Sequence, residues 1–348
     1  MTQPTLRGDA TPVDVSVVIP NLDGAHWLER CLASIEGRAS IEIIVADDGS
    51  TDASAATCER RGATFVPAPR RRTGFATTAN RGIRAASGTW ILLLNNDTEL
   101  APGAIDTLLG VAGRHPDAAM IAPLVLSLRD RVTIDSAGML IFPDGTARPR
   151  WHGTSVTSAP IRGEEDVLVP SGAAAMLRAD WLDRVGLLDE GMTSYLEDID
   201  LGLRIRRAGG RAVFAPTSIV YHHFSGTTGA LSPEKARLIE RNHITVAARY
   251  LPATWLIGLP FWTLARWVIL VRTVLASRDT DGAAGSSRVA MGRSVLGGFV
   301  SGLARLPSSL GERRTLRRHA TVEGRDWSRL MRSHRAHLGD YRRFGADT

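Results

Sequence analysis

The residues best suited to chemistry in this chain are acidic, and they stand just beyond apolar runs. Asn95-Asn96-Asp97 follows the run 91–94, so one carboxylate sits where the chain leaves a buried segment. Hard divalent cations such as Mg2+ or Mn2+ take oxygen ligands of this kind. The same triplet also suits an Asx-rich turn that starts the next helix. Asp47-Asp48-Gly49-Ser50-Thr51-Asp52 offers acceptors for a base N–H and for sugar hydroxyls, and equally a cluster of helix-capping side chains. Glu197-Asp198-Ile199-Asp200 opens a helical pattern. One of these carboxylates could act as general base toward a hydroxyl. As first-turn acids they are also favoured by the helix dipole alone, and Glu197 and Asp200 lie nearer one face than Glu197 and Asp198. His222-His223 closes another apolar run, where a neutral imidazole can complete a metal site or serve structure.

Such residues need a scaffold that brings them to one place. Residues 15–19, ending at Pro20, residues 41–46 and Trp90–Leu94 read as buried strands, with a short one at Thr64–Val66. Helical spacing separates them at 24–35, at about 51–61, at 75–86 and at Ala104–Arg114, the last preceded by Pro102 as a start signal. Continuously apolar strands alternating with helices predict an α/β fold with a mostly parallel sheet covered on both faces. Ligands bind such sheets beyond the carboxyl ends of the strands, which sends Pro20, Asp47 and Asp97 to one crevice. After Ala118 the pattern changes. Strand-like runs at 120–126, 139–142, 167–169, 211–215 and 218–222 mix with turn residues, and Glu197–Arg207 is the clearest helix, ending at Gly209-Gly210. This half reads as the acceptor side of the same domain.

Six segments then stand in order: VSVVIPN (15–21), IVADDGSTD (44–52), GFATTANRG (74–82), ILLLNND (91–97), Ser171-Gly172 with Ala173, and EDIDLGLR (197–204). Over residues 14–230 the set resembles the family 2 glycosyltransferases of the GT-A fold, and among them the bacterial rhamnosyltransferase-like enzymes of cell-wall and surface-polysaccharide assembly. The resemblance implies transfer of a sugar, rhamnose from a dTDP donor as first choice, from a nucleotide diphosphate to a glycan hydroxyl. That transfer would be a single in-line displacement with inversion and no covalent intermediate. It assigns Asp47 to the base, with Asp48, Pro20, Asn80, Asn95 and Gly172 lining the donor pocket. Asp97 matches the last acid of the DxD motif and would hold Mg2+ or Mn2+. Asn95 replaces the first acid and turns toward ribose, so His222, with His223 as the alternative, and the diphosphate must share the metal. Asp198 matches the catalytic base, and Glu197 would orient it or touch the acceptor.

Composition sets the surroundings. The chain has 348 residues, 44% of them apolar, enough for a sizeable core. Lys235 is the only lysine among 42 basic residues, a bias that points to a GC-rich bacterial genome. The net charge of +6 is concentrated at the end, where residues 278–348 carry fourteen Arg against seven acids. A basic tail on a near-neutral body suits an anionic membrane surface. Residues 251–274 are strongly apolar and carry Trp255, Trp262 and Trp267, but Pro260 and Arg266 interrupt them. An interfacial segment fits better than a span of about 20 apolar residues, with a buried core or dimer helix as the alternative. The expected plan is a polar lead-in at 1–13, a GT-A domain at 14–233 and a helical, basic, membrane-associated extension at 234–348. The protein would lie at the inner face of the plasma membrane, use a glycan or polyprenyl-linked acceptor, and could form a homodimer. Few aromatics interleave with the arginines, which argues against nucleic acid. Cys31 and Cys58 lie in helical patterns without metal or CxxC spacing, which excludes a disulfide scaffold. No GxGxxG follows the first strand and no Gly-rich basic phosphate loop is present, which disfavours a dehydrogenase and a nucleotidyltransferase. A non-catalytic sugar- or lipid-binding module is the remaining alternative.

Overall fold

The computed structural model describes residues 13–223, 232–276, 284–337 and 340. Its first strand, β1 (Val15–Asn21), is buried along its whole length and pairs in parallel with β2 (Ile41–Asp47), Val15 opposite Ile41 and Asn21 opposite Asp47. Helices α1 (Ala25–Ala33), α2 (Ser54–Arg61) and α3 (Phe75–Ala85) alternate with β2, β3 (Thr64–Val66) and β4 (Trp90–Leu94). Both β3 on β2 and β4 on β1 are parallel. β1 and β4 are buried throughout and β2 over its last four residues, so these runs are largely apolar, broken only at Ser16 and Glu42, which bond each other.

The second half is mixed rather than parallel. After β5 (Thr98–Leu100) and α4 (Ala104–Arg114) come β6 (Ala118–Ser127), β7 (Ile134–Ser136), the separate antiparallel pair β8 (Met139–Ile141) and β9 (Ala147–Pro149), and β10 (Glu165–Asp166). Next, β11 (Ala174–Arg178) inserts antiparallel between β4 and β6. Helix α5 (Ala179–Val185), a single 3-10 turn at Glu190–Met192 and α6 (Glu197–Arg207) then lead into β12 (Arg211–His222), which runs parallel to β6. The sheet order is β10-β12-β6-β11-β4-β1-β2-β3, with β5 on β12 and β7 on β6. Five helices follow: α7 (Pro233–Tyr250), α8 (Ala253–Ala276), α9 (Ala284–Ala304), α10 (Leu306–Arg318) and α11 (Gly324–Ser333).

Two buried clusters lie on opposite faces of the sheet. Val17, Ile19, Leu92 and Leu94 pack with Leu28 of α1 and with Ile105 and Leu108 of α4. Val18 and Leu93 point the other way, into a cluster holding Ala79 and Ile83 of α3, Ile199 of α6, Tyr250 of α7 and Trp327 of α11. That alternation is the strand period of two, and it puts the C-terminal helices on the same core as the sheet.

Three expectations change. Residues 167–169 are buried coil, not a strand: Val167 N–H goes to Ala212 O and Val169 O accepts from Met139 N, without a ladder. The runs 211–215 and 218–222 are one strand, with a register shift between Ala215 and Ile219 that absorbs Pro216. Helix α2 begins at Ser54, after Asp52 has bound the Ser54 N–H. The lead-in at 1–12, residues 279–283 and residues 341–348 of the tail lie outside the described residues.

Candidate active site

At the carboxyl end of the parallel strands, the register that puts Asn21 beside Asp47 builds a polar knot. The Asn21 amide donates to Asp47 Oδ1 (3.1 Å), Ser50 Oγ (3.2 Å) and Ser54 Oγ (2.9 Å), and its oxygen accepts from Asn96 Nδ2 at 2.7 Å. Asp47 also takes Ser50 Oγ (2.5 Å) on Oδ1 and the N–H groups of Gly49 (2.9 Å) and Ser50 (2.7 Å) on Oδ2. An ionised carboxylate has about four acceptor positions, so Asp47 is saturated by its own loop. Asp48 is tied in the same way to Thr73 N (2.8 Å), Thr73 Oγ1 (2.5 Å) and Gly74 N (3.0 Å). Asp47 and Asp48 thus brace loops rather than cap α2, whose N-cap Ala53 has no side-chain bond; contact with a nucleotide requires one of these bonds to exchange. Asn80 is occupied too, bridging α3 to Leu188 N and O (3.0 and 2.9 Å) and Glu190 Oε1 (3.0 Å). Pro20 is buried in β1, past the last β1–β4 pair, where the strand is paired on one side and a missing N–H is tolerated.

The next loop carries Asp97. Pairing of β5 with the end of β12 sets Thr98 opposite His222, and His223 N–H donates to Asp97 O at 3.0 Å. His222 Nε2 comes to 3.3 Å from Asp97 Oδ1, and its Nδ1 to 2.7 Å from Asp135 Oδ2. His152 approaches the same Asp135, with Nδ1 at 3.3 Å from Oδ1 and 2.9 Å from the Asp135 carbonyl. A buried chain of alternating acids and imidazoles therefore runs Asp97–His222–Asp135–His152. Burial pushes the His222 ring toward neutrality, but Asp135, through bond and charge, and then Asp97 outweigh it and raise the pKa to about 10. Burial would raise Asp135, yet the bonds from His152 and His222 hold it below the usual carboxylate range. The alternative ligand, His223, instead stacks on Trp27 with ring centres 4.2 Å apart, and its Nδ1 is buried without a hydrogen-bond partner among the described residues.

Asp97 and His222 fit a divalent cation as a two-residue half-site. Among the described residues no group of three or more His, Cys, Asp or Glu could hold a metal. One carboxylate with phosphate oxygens and water is a usual arrangement for Mg2+, and an imidazole is compatible with Mn2+.

The turn before β11 joins this loop to the second acidic motif. Ala173 O accepts Asn95 N–H at 3.0 Å, while Gly172 N–H donates to Asp198 Oδ2 at 2.8 Å. Asp198 Oδ1 takes the Ile199 N–H, also at 2.8 Å. A Cβ on Gly172 would lie 3.1 Å from Asp198 Oδ2, so a glycine lets the carboxylate approach the backbone. Gly172, expected against the donor, is thus an anchor for Asp198. Burial raises the Asp198 pKa above its ordinary value while the bonds from Gly172 and Ile199 oppose that. Glu197 is buried, and its Oε2 has no hydrogen-bond partner among the described residues; burial, then the charge on Asp198, drive its pKa well above the carboxylate range. Of the two, Glu197 is pushed the more strongly toward its neutral form, while two backbone N–H groups help to keep Asp198 ionised. Asp200 is structural: Arg204 Nε (3.0 Å), Arg249 Nη1 (2.7 Å) and Tyr250 OH (2.8 Å) enclose it.

Sequence reasoning missed Asp135 and His152. Asp135 sits 87 positions from His222, in a segment with no motif of its own.

Residues 16–186 match the model of the family described as Glycosyl transferase family 2. The chain is 29% identical over 248 residues to the N-acetylglucosaminyl-diphospho-decaprenol L-rhamnosyltransferase of Mycobacterium tuberculosis, covering 64% of this chain and 78% of that one. It is 29% identical over 225 residues to the pre-mycofactocin glycosyltransferase of the same organism, covering 60% and 42%. Among solved structures, GalNAc-T7 with UDP, GalNAc and Mn2+ superposes with a TM-score of 0.57 at 14% identity, covering 89% of this chain and 61% of that one. The mannosyltransferase PcManGT of Pyrobaculum calidifontis, in complex with GDP-Man and Mn2+, gives 0.51 at 18% identity, covering 97% and 89%. With its mixed sheet, its strand-end acidic loops and these relatives, the chain belongs to the family 2 glycosyltransferases of the GT-A fold and is rhamnosyltransferase-like.

Proposed function

We propose that the chain is an inverting, metal-dependent transferase that moves a sugar, rhamnose by analogy with its relative, from a nucleotide diphosphate to a hydroxyl of a polyprenyl-linked glycan. The observation that carries this reading is the Gly172-Ala173 turn, bonded on one side to the Asp97 loop and on the other to Asp198. It ties the candidate diphosphate side and the candidate base to one short stretch of backbone.

Asp198 takes the proton of the acceptor hydroxyl as that oxygen attacks the anomeric carbon. The bond from that carbon to the diphosphate breaks on the opposite face, which inverts the configuration. Asp97 and His222 would hold Mg2+ or Mn2+, whose charge offsets that of the departing diphosphate. A cation there would take the place between His222 Nε2 and Asp97 Oδ1, 3.3 Å apart, that a proton can occupy. Glu197, pushed the more strongly toward its neutral form, leaves Asp198 the better placed of the two to act as base. Asn95, whose side chain makes no hydrogen bond among the described residues, is available to the donor's ribose, beside the loop formed by Pro20, Asp47, Asp48 and Asn80.

The outer helices support a peripheral seat on an anionic bilayer. No described helix is long and apolar enough to cross a membrane. On α8, Ile257, Phe261, Leu264, Val268 and Val271 recur at three- and four-residue spacing and are all exposed, Ile257 by 84%. Val289, Leu296, Val300 and Leu303 of α9 are exposed as well, with the exposed Arg272 and Arg293 beside these stripes. An apolar stripe flanked by arginine suits the boundary between headgroups and acyl chains.

Full-length protein incubated with dTDP-, UDP- and GDP-sugars, a polyprenyl-diphosphate-linked N-acetylglucosamine acceptor and Mn2+ or Mg2+ tests the assignment. Transfer from one donor, abolished by Asp198→Asn, is expected. Absence of transfer from every donor, or an Asp198→Asn variant as active as the wild type, would overturn it.

A further inference from the structure

The segment that delivers Glu197 and Asp198 is bent into an unfavourable shape. Thr193, Tyr195 and Leu196 all have positive φ, at 65, 68 and 68°, and none is glycine. Bulky residues enter this region only when their surroundings impose it. On one side the constraint comes from α3: Ala76 N–H donates to Thr193 O (2.9 Å) and Phe75 N–H to Ser194 Oγ (3.3 Å).

The other side is closed by α7, which lies beyond the segment matched by the family model. Asn242 is fully buried, and its amide nitrogen reaches three carbonyls of the bend: Met192 O (3.0 Å), Ser194 O (3.0 Å) and Tyr195 O (2.7 Å). Its orientation is fixed by Arg241, whose Nε donates to Asn242 Oδ1 at 2.9 Å. The same guanidinium donates through Nη2 to Met192 O at 2.5 Å. One amide group thus converges on the carbonyls immediately upstream of the acidic pair, where the left-handed Leu196 starts α6.

We propose that Asn242 is a positioning residue for the transfer reaction: it holds the bend in the one shape that aims Asp198 at the Gly172 turn. This rests on the reading of Asp198 as the base. Helix α7 is then part of the catalytic apparatus, not an appendage that serves only membrane contact. An ordinary core asparagine would influence stability alone; one that sets the bend must influence the turnover step while leaving the donor site, built on β1, β2 and β4, intact.

Full-length Asn242→Ala and the near-isosteric Asn242→Asp, which places acceptor oxygens against three carbonyls, are compared with the wild type by three measurements. Transfer should lose at least 30-fold in kcat, with the donor KM within twofold. Binding of dTDP with Mn2+, followed by calorimetry, should be unchanged within twofold. Hydrogen exchange at the Ile199 amide, which donates to Asp198, should accelerate at least tenfold, while amides of β1 and β4 stay protected. A folded variant with unchanged kcat, or a loss confined to KM, overturns the proposal. If Asn242→Ala does not fold, Asn242→Asp decides by the same criteria. If the wild type transfers nothing from any donor, the functional assignment fails by itself; hydrogen exchange at Ile199 still tests the bend, and an unchanged rate there overturns the positioning role.

Discussion

Adding a single methyl group at Gly172 should separate activity from stability. The Cβ of Gly172→Ala would sit 3.1 Å from Asp198 Oδ2 and 3.3 Å from Asp198 Cβ, so the carboxylate must retreat by a few tenths of an ångström. Retreat stretches the 2.8 Å bond from the residue 172 N–H to Oδ2. A hydrogen bond to a charged group contributes about 1.5–3 kcal/mol, and about 1.4 kcal/mol corresponds to tenfold in rate. Losing most of it predicts a fall in kcat of about 10- to 100-fold at saturating donor. The same bond lowers the Asp198 pKa against the rise caused by burial. Weakening it raises that pKa further, so the acid limb of the kcat profile should move to higher pH. Folding should hardly change. Gly172 has no positive φ, and Gly→Ala at a compatible site stabilises by roughly 0.4–1 kcal/mol through the unfolded chain, which offsets the small clash. A transfer assay with a parallel thermal melt checks both halves. An unchanged kcat in a folded variant, or a loss seen only in donor KM, would refute the idea that Gly172 seats the base.

Other perturbations reach the remaining parts of the site. Asp135→Asn removes the carboxylate behind His222 and should weaken Mn2+ binding about 10- to 100-fold, read by calorimetry without substrate; unchanged affinity would break the link along the chain to Asp97. The raised His222 pKa has a definite sign. Its protonated ring stabilises the metal-free fold fully below pH 6.5, and that contribution is lost as pH climbs to about 10, by no more than about 5 kcal/mol at 1.36 kcal/mol per unit. Denaturant titrations should show this alkaline loss in the wild type and a flatter profile in His222→Gln; equal slopes would contradict it. Replacing Ile257, Phe261 and Leu264 with serine should cut co-sedimentation with anionic vesicles at least tenfold and leave the melting temperature unchanged, and equal binding would remove α8 from the membrane face. Arg266→Met removes the guanidinium that two buried carboxylates, Asp144 and Glu240, share, and should cost about 3–5 kcal/mol; a shift below 1 kcal/mol in chemical denaturation would show the pair is not relying on it.

What the sequence displayed depended on whether the deciding interaction was local. β1, β2 and β4 could be read almost to the residue because burial over most of their length makes them largely apolar, Ser16 and Glu42 excepted. The run 167–169 has the same composition, but nothing in three residues distinguishes a ladder strand from buried coil. Asp47 and Asp48 stood between capping and ligand binding; in the fold they brace loops instead, Asp47 through the nearby Gly49 and Ser50 and Asp48 through the distant Thr73. Spacing could place Asp97 and Asp198 at strand and helix ends. It could not reveal that Gly172-Ala173 joins them, nor that Asp135 stands behind His222, because those contacts form only after β11 enters the sheet and β12 closes against β5.

Arg266 is the residue that most changes how the C-terminal half should be understood. In sequence it interrupts an apolar stretch and argues against a membrane span. In the structure it points inward: Nε lies 2.8 Å from Asp144, a fully buried side chain, and the guanidinium also binds Glu240 of α7. Glu240 further accepts from Trp267 Nε1 at 3.2 Å. The charge that spoils α8 as a span is therefore what fastens it to the body and turns its apolar stripe outward. On the neighbouring helix, Asn242 grips the bend before Asp198, while Arg249 and Tyr250 enclose Asp200. Trp327 of α11 and Arg313 of α10 in turn cap carbonyls at the end of α7. The composition changes near residue 234, yet α7 beyond it packs and bonds against the same core as α6 and the sheet. Helix α7 therefore touches the bend before Asp198 through Asn242 and holds α8 through Glu240.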